Sequence, residues 1–181
     1  MLNISEKVSV NNAEYTLTRL LGRGKGGYSY LAESKNGQFV LKQIHHEPCD
    51  YYRFGNKIEA EIADYHRLSR IGIRIPKLLD VDLKQERIIK EYIEGDTIYD
   101  LVLRDRMQPE YLEQIHEMCV KLYAKYTNID YFPTNFVVKD NLIHYIDFEC
   151  NDYMDEWNFE NWGVKYWSKT PEFLQYVDSK H

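Results

Sequence analysis

The 181-residue chain has the size of one domain and is long enough to bury a hydrophobic core. Its 23 Lys and Arg residues and 29 Asp and Glu residues leave a formal net charge of −6. Broad nucleic-acid binding is therefore disfavoured, because affinity for a phosphate backbone depends on clustered cationic side chains. With 44% hydrophobic and 14% aromatic residues, the chain is also too apolar for intrinsic disorder.

The composition has two further informative features, in its tyrosines and its cysteines. Half-buried surface rings explain the 16 tyrosines, and stacking on nucleotide bases is the alternative. Cys49, Cys119 and Cys150 are odd in number and far apart, which indicates a reducing compartment rather than a disulfide framework. No apolar leader and no run of about 20 apolar residues is present, so we expect a cytoplasmic protein that does not bind membranes.

Alternating apolar residues predict three antiparallel strands early in the chain, at residues 14–21, 28–33 and 39–44. The Asn36-Gly37 pair favours a tight hairpin between the last two strands, because both residues tolerate a positive φ. Apolar residues at helical spacing then predict a helix from about Phe54 to Arg70.

The rest of the chain continues the mixture of strands and helices. The predicted elements are strands at 77–83 and 87–93, a long helix at 109–126 and a second hairpin at 136–146. The aromatic-rich tail is predicted to be helical. The pattern therefore predicts an α+β chain with two unequal lobes.

A glycine cluster between the first two predicted strands matches G-x-G-x-x-G at Gly22, Gly24 and Gly27. Because a strand follows rather than a helix, the cluster should form a hairpin whose backbone N–H groups can bind nucleotide phosphates. A plain flexible turn is the alternative.

Lys42 follows the glycines on a strand and matches the V-A-I-K pattern, in which a lysine contacts the α- and β-phosphates. Its partner would be a carboxylate on the following helix. Glu61 lies near the apolar side of that helix, since Tyr65 and Leu68 follow at i+4 and i+7, whereas Glu59 should face solvent.

Two segments later in the chain carry the pattern of phosphoryl transfer. Asp130 and Asn135 keep the spacing in which the aspartate orients the acceptor hydroxyl and the asparagine holds Mg²⁺. Asp147-Phe148-Glu149 stands where the kinase signature has Asp-Phe-Gly, and Asp147 would bind the Mg²⁺ that bridges the phosphates.

In these motifs the chain resembles the protein-kinase-like superfamily, from about residue 14 to 150. Residues 61–82 are most similar to small atypical kinases, namely the RIO type and the kinase of the tRNA threonylcarbamoyl-adenosine complex. The chain is also similar to short serine/threonine-kinase-like proteins of Gram-positive bacteria. The resemblance implies one two-lobed, kinase-like domain, with residues 1–94 as the N-terminal lobe and 95–181 as a truncated C-terminal lobe that lacks an activation segment.

The resemblance further implies that ATP is the phosphoryl donor and Mg²⁺ its metal. The glycines and the Lys42–Glu61 pair would bind the phosphates. Adenine would bind at a hinge, through the backbone carbonyl of Glu91 and the N–H of Ile93.

Several residues depart from the kinase pattern. Phe132 replaces a lysine that faces the γ-phosphate, and Lys25 at the tip of the glycine hairpin is a candidate substitute. Lys90 occupies the usually apolar gatekeeper position, where it either contacts Glu61 or extends to solvent. Glu149 replaces a glycine, either as a further metal ligand or, in the interpretation we favour, as a group that fixes the backbone.

Other candidate residues carry weaker signals. His45, His46 and Cys49 lack a second pair at zinc spacing, so no zinc site is predicted. Cys150 has no adjacent activating base, which favours packing over a role as nucleophile. The aromatic tail, residues 153–176, is expected to cover the core, and docking of a partner or substrate is the alternative.

The sequence thus predicts an ATP- and Mg²⁺-dependent phosphotransferase, an atypical serine/threonine protein kinase in which Asp130 and Lys42 are catalytic. One alternative is a small-molecule kinase, which the short segment after Asp147 disfavours. The other is a nucleotide-binding switch, ATPase or pseudokinase that acts through a partner, which Phe132 and Glu149 favour. The expected acceptor is a protein or a small molecule.

Overall fold

The computed structural model describes residues 1–47 and 56–180, which form the α+β structure that the sequence predicts. Residue contacts divide the chain into two compact units. Among the described residues, unit 1 comprises 1–47, 56–63 and 76–92, and unit 2 comprises 64–75 and 93–180. Unit 2 thus resumes after Tyr92, and residues 64–75 also belong to it. The expected single kinase-like domain with lobes 1–94 and 95–181 stays a prediction.

Six strands form one antiparallel sheet in unit 1. They are β1 (Lys7–Val10), β2 (Ala13–Arg23), β3 (Gly27–Ser34), β4 (Gly37–Ile44), β5 (Leu78–Asp82) and β6 (Arg87–Glu91). Their order in the sheet is β1-β2-β3-β4-β6-β5. The five predicted strands are confirmed, whereas β1 was not predicted, because its alternation extends over only four residues.

The sheet of unit 1 curls, so that the turn after β1 reaches β5. Asn11 donates its backbone N–H to Asp82 Oδ2 at 3.0 Å and its side-chain Nδ2 to Asp80 Oδ1 at 2.8 Å. Arg87 Nη1 donates to the carbonyl of Ser9 at 2.8 Å. Buried residues on the enclosed side form the core of this unit: Val8, Val10, Tyr15, Leu17, Tyr28, Tyr30, Ala32, Leu41 and Ile89.

Helix α1 (Lys57–Ile71) follows β4, and the expected first residue, Phe54, lies outside the described residues. The buried side chain of Ile58 packs with Ile44 and Ile88 of the sheet. The helix belongs to unit 1 as far as residue 63 and to unit 2 from residue 64.

Unit 2 combines short strands with three further helices. The helices are α2 (Ile98–Leu103), α3 (Pro109–Tyr123) and α4 (Pro171–Asp178). The strands are β7 (Asp96–Thr97), β8 (Thr127–Ile129), β9 (Phe136–Lys139), β10 (Leu142–Tyr145) and β11 (Cys150–Asp152). They form the sheets β10-β9-β7 and β11-β8, so the predicted second hairpin is confirmed as β9–β10.

The aromatic tail is less helical than predicted, since 3₁₀ turns at Asp155–Trp157 and Gly163–Tyr166 precede α4. Phe159, Trp167 and Phe173 are fully or almost fully buried in the core of unit 2. The expectation that the tail covers the core is confirmed for these three rings. Within the part of the chain that the structure describes, no helix has the length and apolar character needed to cross a membrane.

Candidate active site

The glycine cluster forms the hairpin between β2 and β3, in the order that the sequence predicts. The N–H of Gly24 donates to the carbonyl of Gly27 at 2.9 Å and closes the turn. A Cβ on Gly27 would lie 2.5 Å from the carbonyl oxygen of Gln43, so β4 passes too close for any side chain there. A Cβ on Gly22 would meet no atom within 4 Å. Packing of the sheet therefore explains Gly27, and Gly22 has open space around it.

We expect Gly27→Ala to lower the free energy of unfolding by about 1–3 kcal/mol, because the backbone of β4 must move to admit the methyl group. Gly22→Ala should unfold at or slightly above the wild-type urea midpoint, since its φ is not left-handed and alanine restricts the unfolded chain. Urea unfolding of both variants tests the difference. Equal midpoints would show that β4 does not constrain Gly27.

Lys42 and Glu61 lie together in unit 1 as a buried ion pair. Lys42 Nζ lies 2.7 Å from Glu61 Oε2, and the two side chains are only 12% and 8% exposed. The second carboxylate oxygen, Glu61 Oε1, is buried without a hydrogen-bond partner. A Cβ on Gly26 would lie 3.8 Å from Lys42 Nζ, so the glycine hairpin is close to the ammonium group. Glu59 is exposed, as the helical spacing predicts.

Lys57 supports the hairpin and was not found by sequence reasoning. Its side chain is almost fully buried, and its Nζ donates to the carbonyls of His45 at 2.6 Å and Lys25 at 3.2 Å. The ring of His45 also bonds to the carbonyl of Gly24, at 3.0 Å. One signal in the sequence could have identified Lys57. It lies one helical turn before Glu61, so both side chains lie on the side of the helix that faces the sheet.

The histidines next to the hairpin are engaged in local contacts. His46 Nε2 lies 2.7 Å from Glu86 Oε2, and Cys49, the third member of the cluster singled out above, lies outside the described residues. Within residues 1–47 and 56–180, no three or more His, Cys, Asp or Glu side chains are grouped so that they could hold a metal ion.

In unit 2 the structure places Asp130 and Asn135 in one tight loop. Asp130 Oδ1 accepts the N–H of Phe132 at 3.0 Å, and Asn135 Nδ2 donates to the carbonyl of Asp130 at 3.3 Å. The N–H of Ile146 donates to the carbonyl of Asn135 at 2.9 Å. Because the amide nitrogen of Asn135 is directed into the loop, its side-chain oxygen remains as the atom able to bind a cation.

Tyr145 links this loop to the Asp147-Phe148-Glu149 segment. Its fully buried hydroxyl accepts the N–H of Asp130 at 3.4 Å and donates to the carbonyl of Glu149 at 2.7 Å. Burial raises the pKa of Tyr145 well above its usual value, which keeps the hydroxyl protonated as a donor. Nothing in the sequence separates Tyr145 from the other tyrosines, so reasoning from the sequence missed it.

The Asp147-Phe148-Glu149 segment is ordered by local bonds and by packing. Asp147 Oδ1 accepts the N–H of Phe148 at 2.7 Å, and the Phe148 ring packs against Tyr65 with centroids 4.9 Å apart. The side chain of Glu149 is exposed, and its backbone carbonyl is fixed by the Tyr145 hydroxyl. A tyrosine that was not anticipated therefore holds the backbone at this position.

Phe132 packs into the aromatic tail. Its ring lies 5.0 Å from that of Tyr166 and 4.7 Å from that of Tyr176, measured between centroids. Next to it, the buried indole of Trp167 donates to the carbonyl of Tyr131 at 2.8 Å. The tail thus fixes the backbone beside Asp130 and surrounds Phe132 with aromatic rings.

Cys150 is a packing residue, as the sequence favours. Its Sγ donates to Asp64 Oδ1 at 3.3 Å, and its N–H donates to Asp64 Oδ2 at the same distance. Burial raises the pKa of the Cys150 thiol and also that of Asp64. A thiol whose pKa is raised is not a nucleophile at neutral pH.

The remaining candidates lie around the end of β6. Lys90 is only 5% exposed, so the alternative in which it extends to solvent is wrong. Glu91 is the last residue of β6, and its Oε2 accepts the N–H of Lys77 at 3.2 Å. Ile93 is buried and belongs to unit 2.

No protein-family model matches the chain, and no curated protein matches its sequence. Two groups of residues are the candidates for a function. One is the Lys42–Glu61 pair beside the glycine hairpin of unit 1, and the other is the Asp130, Asn135 and Asp147 region of unit 2.

Proposed function

We propose that the protein is an ATP- and Mg²⁺-dependent phosphotransferase of the protein-kinase-like superfamily that phosphorylates a hydroxyl group. The observation that carries this proposal is the buried Lys42–Glu61 pair. Burial of two charges costs solvation free energy that the attraction between them barely regains, so such a pair is a poor stabiliser. Because stability does not explain the presence of this pair, we attribute it to function.

The glycine hairpin gives the pair its function in this proposal. The backbone near Gly26 lies close to Lys42 Nζ, which suits a site where N–H groups and one ammonium group bind a phosphate chain. Glu61 would hold the ammonium group of Lys42 in position. The adenine ring would bind at the backbone of Glu91 and Ile93.

Asn135 and Asp147 would hold the Mg²⁺ that accompanies ATP. Each offers a side-chain oxygen, and Mg²⁺ needs only one or two such protein ligands, because water and phosphate oxygens complete its shell. The donor set therefore fits a metal that arrives with the nucleotide. Bound Mg²⁺ would neutralise the charge that develops on the transferred group.

Asp130 would orient the acceptor hydroxyl and take up its proton. Its carboxylate is exposed, and the Phe132 N–H that bonds to Oδ1 holds the side chain in one orientation. Tyr145 and Asn135 fix its backbone. The chain thus presents a positioned carboxylate, as general base catalysis requires.

We expect Asp130→Asn to lower phosphoryl transfer by about 10²–10⁴-fold, because the amide cannot accept the proton. The fold should persist, since the asparagine oxygen can still accept the Phe132 N–H. Asp140→Asn is the matched control, at an exposed turn position with φ of 51° that asparagine tolerates. Label from γ-labelled ATP is followed into protein, small molecules and free phosphate in the presence of Mg²⁺.

The product that carries the label decides between the proposals. Label in protein or in a small molecule, lost in Asp130→Asn and kept in Asp140→Asn, supports the kinase and identifies the class of acceptor. Equal transfer by both variants would refute the role of Asp130. If Mg²⁺-ATP does not raise the melting temperature of the protein, every nucleotide-dependent function is excluded.

A second candidate function is a nucleotide-binding switch or ATPase that acts through a partner. The observation that favours it is the packing of Phe132 between Tyr166 and Tyr176, which puts rings where a kinase places a cation near the γ-phosphate. This function predicts binding of Mg²⁺-ATP with label released only as free phosphate.

A further inference from the structure

Unit 2 contains a cationic cavity that has no part in the proposed phosphotransfer. Its volume is about 270 Å³, and its lining residues are Arg67, Arg70, Ile71, Lys125 and Thr127. Three of these five are cations in a chain whose formal net charge is −6. Such a concentration of positive charge in a concave site favours an anionic ligand.

Arg67 is held in place at this cavity by bonds to the chain. Its Nε donates to Thr127 Oγ1 at 3.2 Å, and its Nη2 donates to the carbonyl of Tyr126 at 3.3 Å. The same Nη2 lies 3.0 Å from Asp152 Oδ1, on a side chain that is 94% exposed. The carboxylate of Asp64, on the same helix, also attracts the guanidinium of Arg67. An ion pair as exposed as that with Asp152 is weak, so a stronger anion can displace the carboxylate.

Helix stability alone could account for two of the three cations at the cavity, but not for the third. Arg67 and Arg70 lie in or near the last turn of the helix, where cations also stabilise the helix dipole. Lys125 comes from a different segment, beyond the end of α3. Tyr126, between the lining residues Lys125 and Thr127, has φ of 49° and is 79% exposed. A bulky residue held in the left-handed region is strained, and strain of this kind is concentrated at ligand sites.

We propose that this cavity binds the phosphate group of a small phosphorylated compound. Guanidinium groups match tetrahedral oxyanions with paired N–H donors, and Lys125 adds a third charge. Ile71 offers an apolar wall to the organic part of a monoester. Inorganic phosphate shares the same recognition chemistry, so the experiment compares both.

The test is a two-dimensional NMR titration of the ¹⁵N-labelled full chain with inorganic phosphate, glycerol 2-phosphate or chloride at constant ionic strength. The proposal predicts saturable shifts of the amide signals of residues 70–72 and 125–127 with the phosphates but not with chloride. Arg70→Gln and Lys125→Gln should each weaken binding by about fivefold to tenfold. Lys84→Gln, at an exposed turn of unit 1, is the matched control and should leave affinity unchanged.

Asp152→Asn is a variant that should bind phosphate more tightly, in contrast to the Arg70 and Lys125 variants. It removes the carboxylate that competes for Arg67, so the affinity for phosphate should increase by about twofold to fivefold. Tighter binding of glycerol 2-phosphate than of inorganic phosphate would assign the site to a monoester, and the reverse order would assign it to the free ion. Shifts that chloride reproduces, or equal affinity in the Arg70, Lys125 and Lys84 variants, would overturn the proposal. None of these measurements uses ATP, so the result does not depend on the proposed phosphotransfer.

Discussion

Replacing Lys42 by methionine is expected to lower phosphoryl transfer by at least about 100-fold and to reduce the free energy of unfolding by about 3–5 kcal/mol. Glu61, 8% exposed, already has one carboxylate oxygen without a hydrogen-bond partner. Loss of the ammonium group would leave a charged carboxylate buried without its counter-charge. The activity falls because the same ammonium group is the proposed ligand of the α- and β-phosphates.

A double variant separates the structural effect from the functional one. Lys42→Met with Glu61→Gln removes both charges, so most of the lost stability should return while phosphoryl transfer and binding of Mg²⁺-ATP stay low. Urea unfolding gives the stability, and calorimetric titration gives the nucleotide affinity. Recovery of transfer in the double variant would show that the pair is only structural. A Lys42→Met variant that unfolds like the wild type would show that the pair is not buried as described.

The sheet of unit 1 and the pairing of its charges could be predicted because both depend on local patterns. Strand alternation and Asn36-Gly37 gave the hairpin between β3 and β4, and helical spacing placed Glu61 on the apolar side of α1. Lys57 and Gly27 could not be assigned in this way. Lys57 donates to backbone carbonyls of another segment, and Gly27 is needed because β4 passes close to it. Both are tertiary contacts, which a local sequence pattern does not show.

The structure of unit 2 was harder to predict because it depends on single contacts between segments that are distant in the sequence. The two-residue strand β7 and the three-residue strands β8 and β11 are too short to show a period. Tyr145 bridges two loops through one hydroxyl, which its residue type does not reveal. The long helix was predicted to continue to residue 126 but ends at Tyr123, and Tyr126 is in the left-handed region.

The many aromatic residues of the tail indicate that it is buried, but they do not indicate which rings are buried and which are exposed. Trp157, Phe159 and Trp167 look equivalent in the sequence, yet Trp157 is 49% exposed whereas the other two are buried. What distinguishes Trp167 is the bond from its indole to the carbonyl of Tyr131, which ties the tail to the residue that follows Asp130.

Replacing Trp167 by alanine is therefore expected to reduce the free energy of unfolding by about 3–5 kcal/mol, because a fully buried ring is lost. Phenylalanine at this position keeps a ring against Phe136 and Phe159, whose centroids lie 5.0 and 5.3 Å away. It loses only the indole N–H and leaves the Tyr131 carbonyl buried without its donor, which should cost about 1–3 kcal/mol. Urea unfolding measures both, with the exposed Trp157→Phe as control, expected within about 0.5 kcal/mol of wild type.

The phenylalanine variant also tests whether the tail positions the loop that carries the proposed general base, Asp130. If the Tyr131 carbonyl sets the backbone on either side of it, Trp167→Phe should lower phosphoryl transfer under conditions where the variant is fully folded, and Trp157→Phe should not. The kinetic signature is a lower kcat with little change in the KM for ATP, because in the proposed function Asp130 would act on the acceptor and Lys42 would bind the nucleotide. Wild-type kcat in a destabilised Trp167→Phe variant would restrict the tail to covering the core. A raised KM for ATP with unchanged kcat would contradict the division of roles between the two residues.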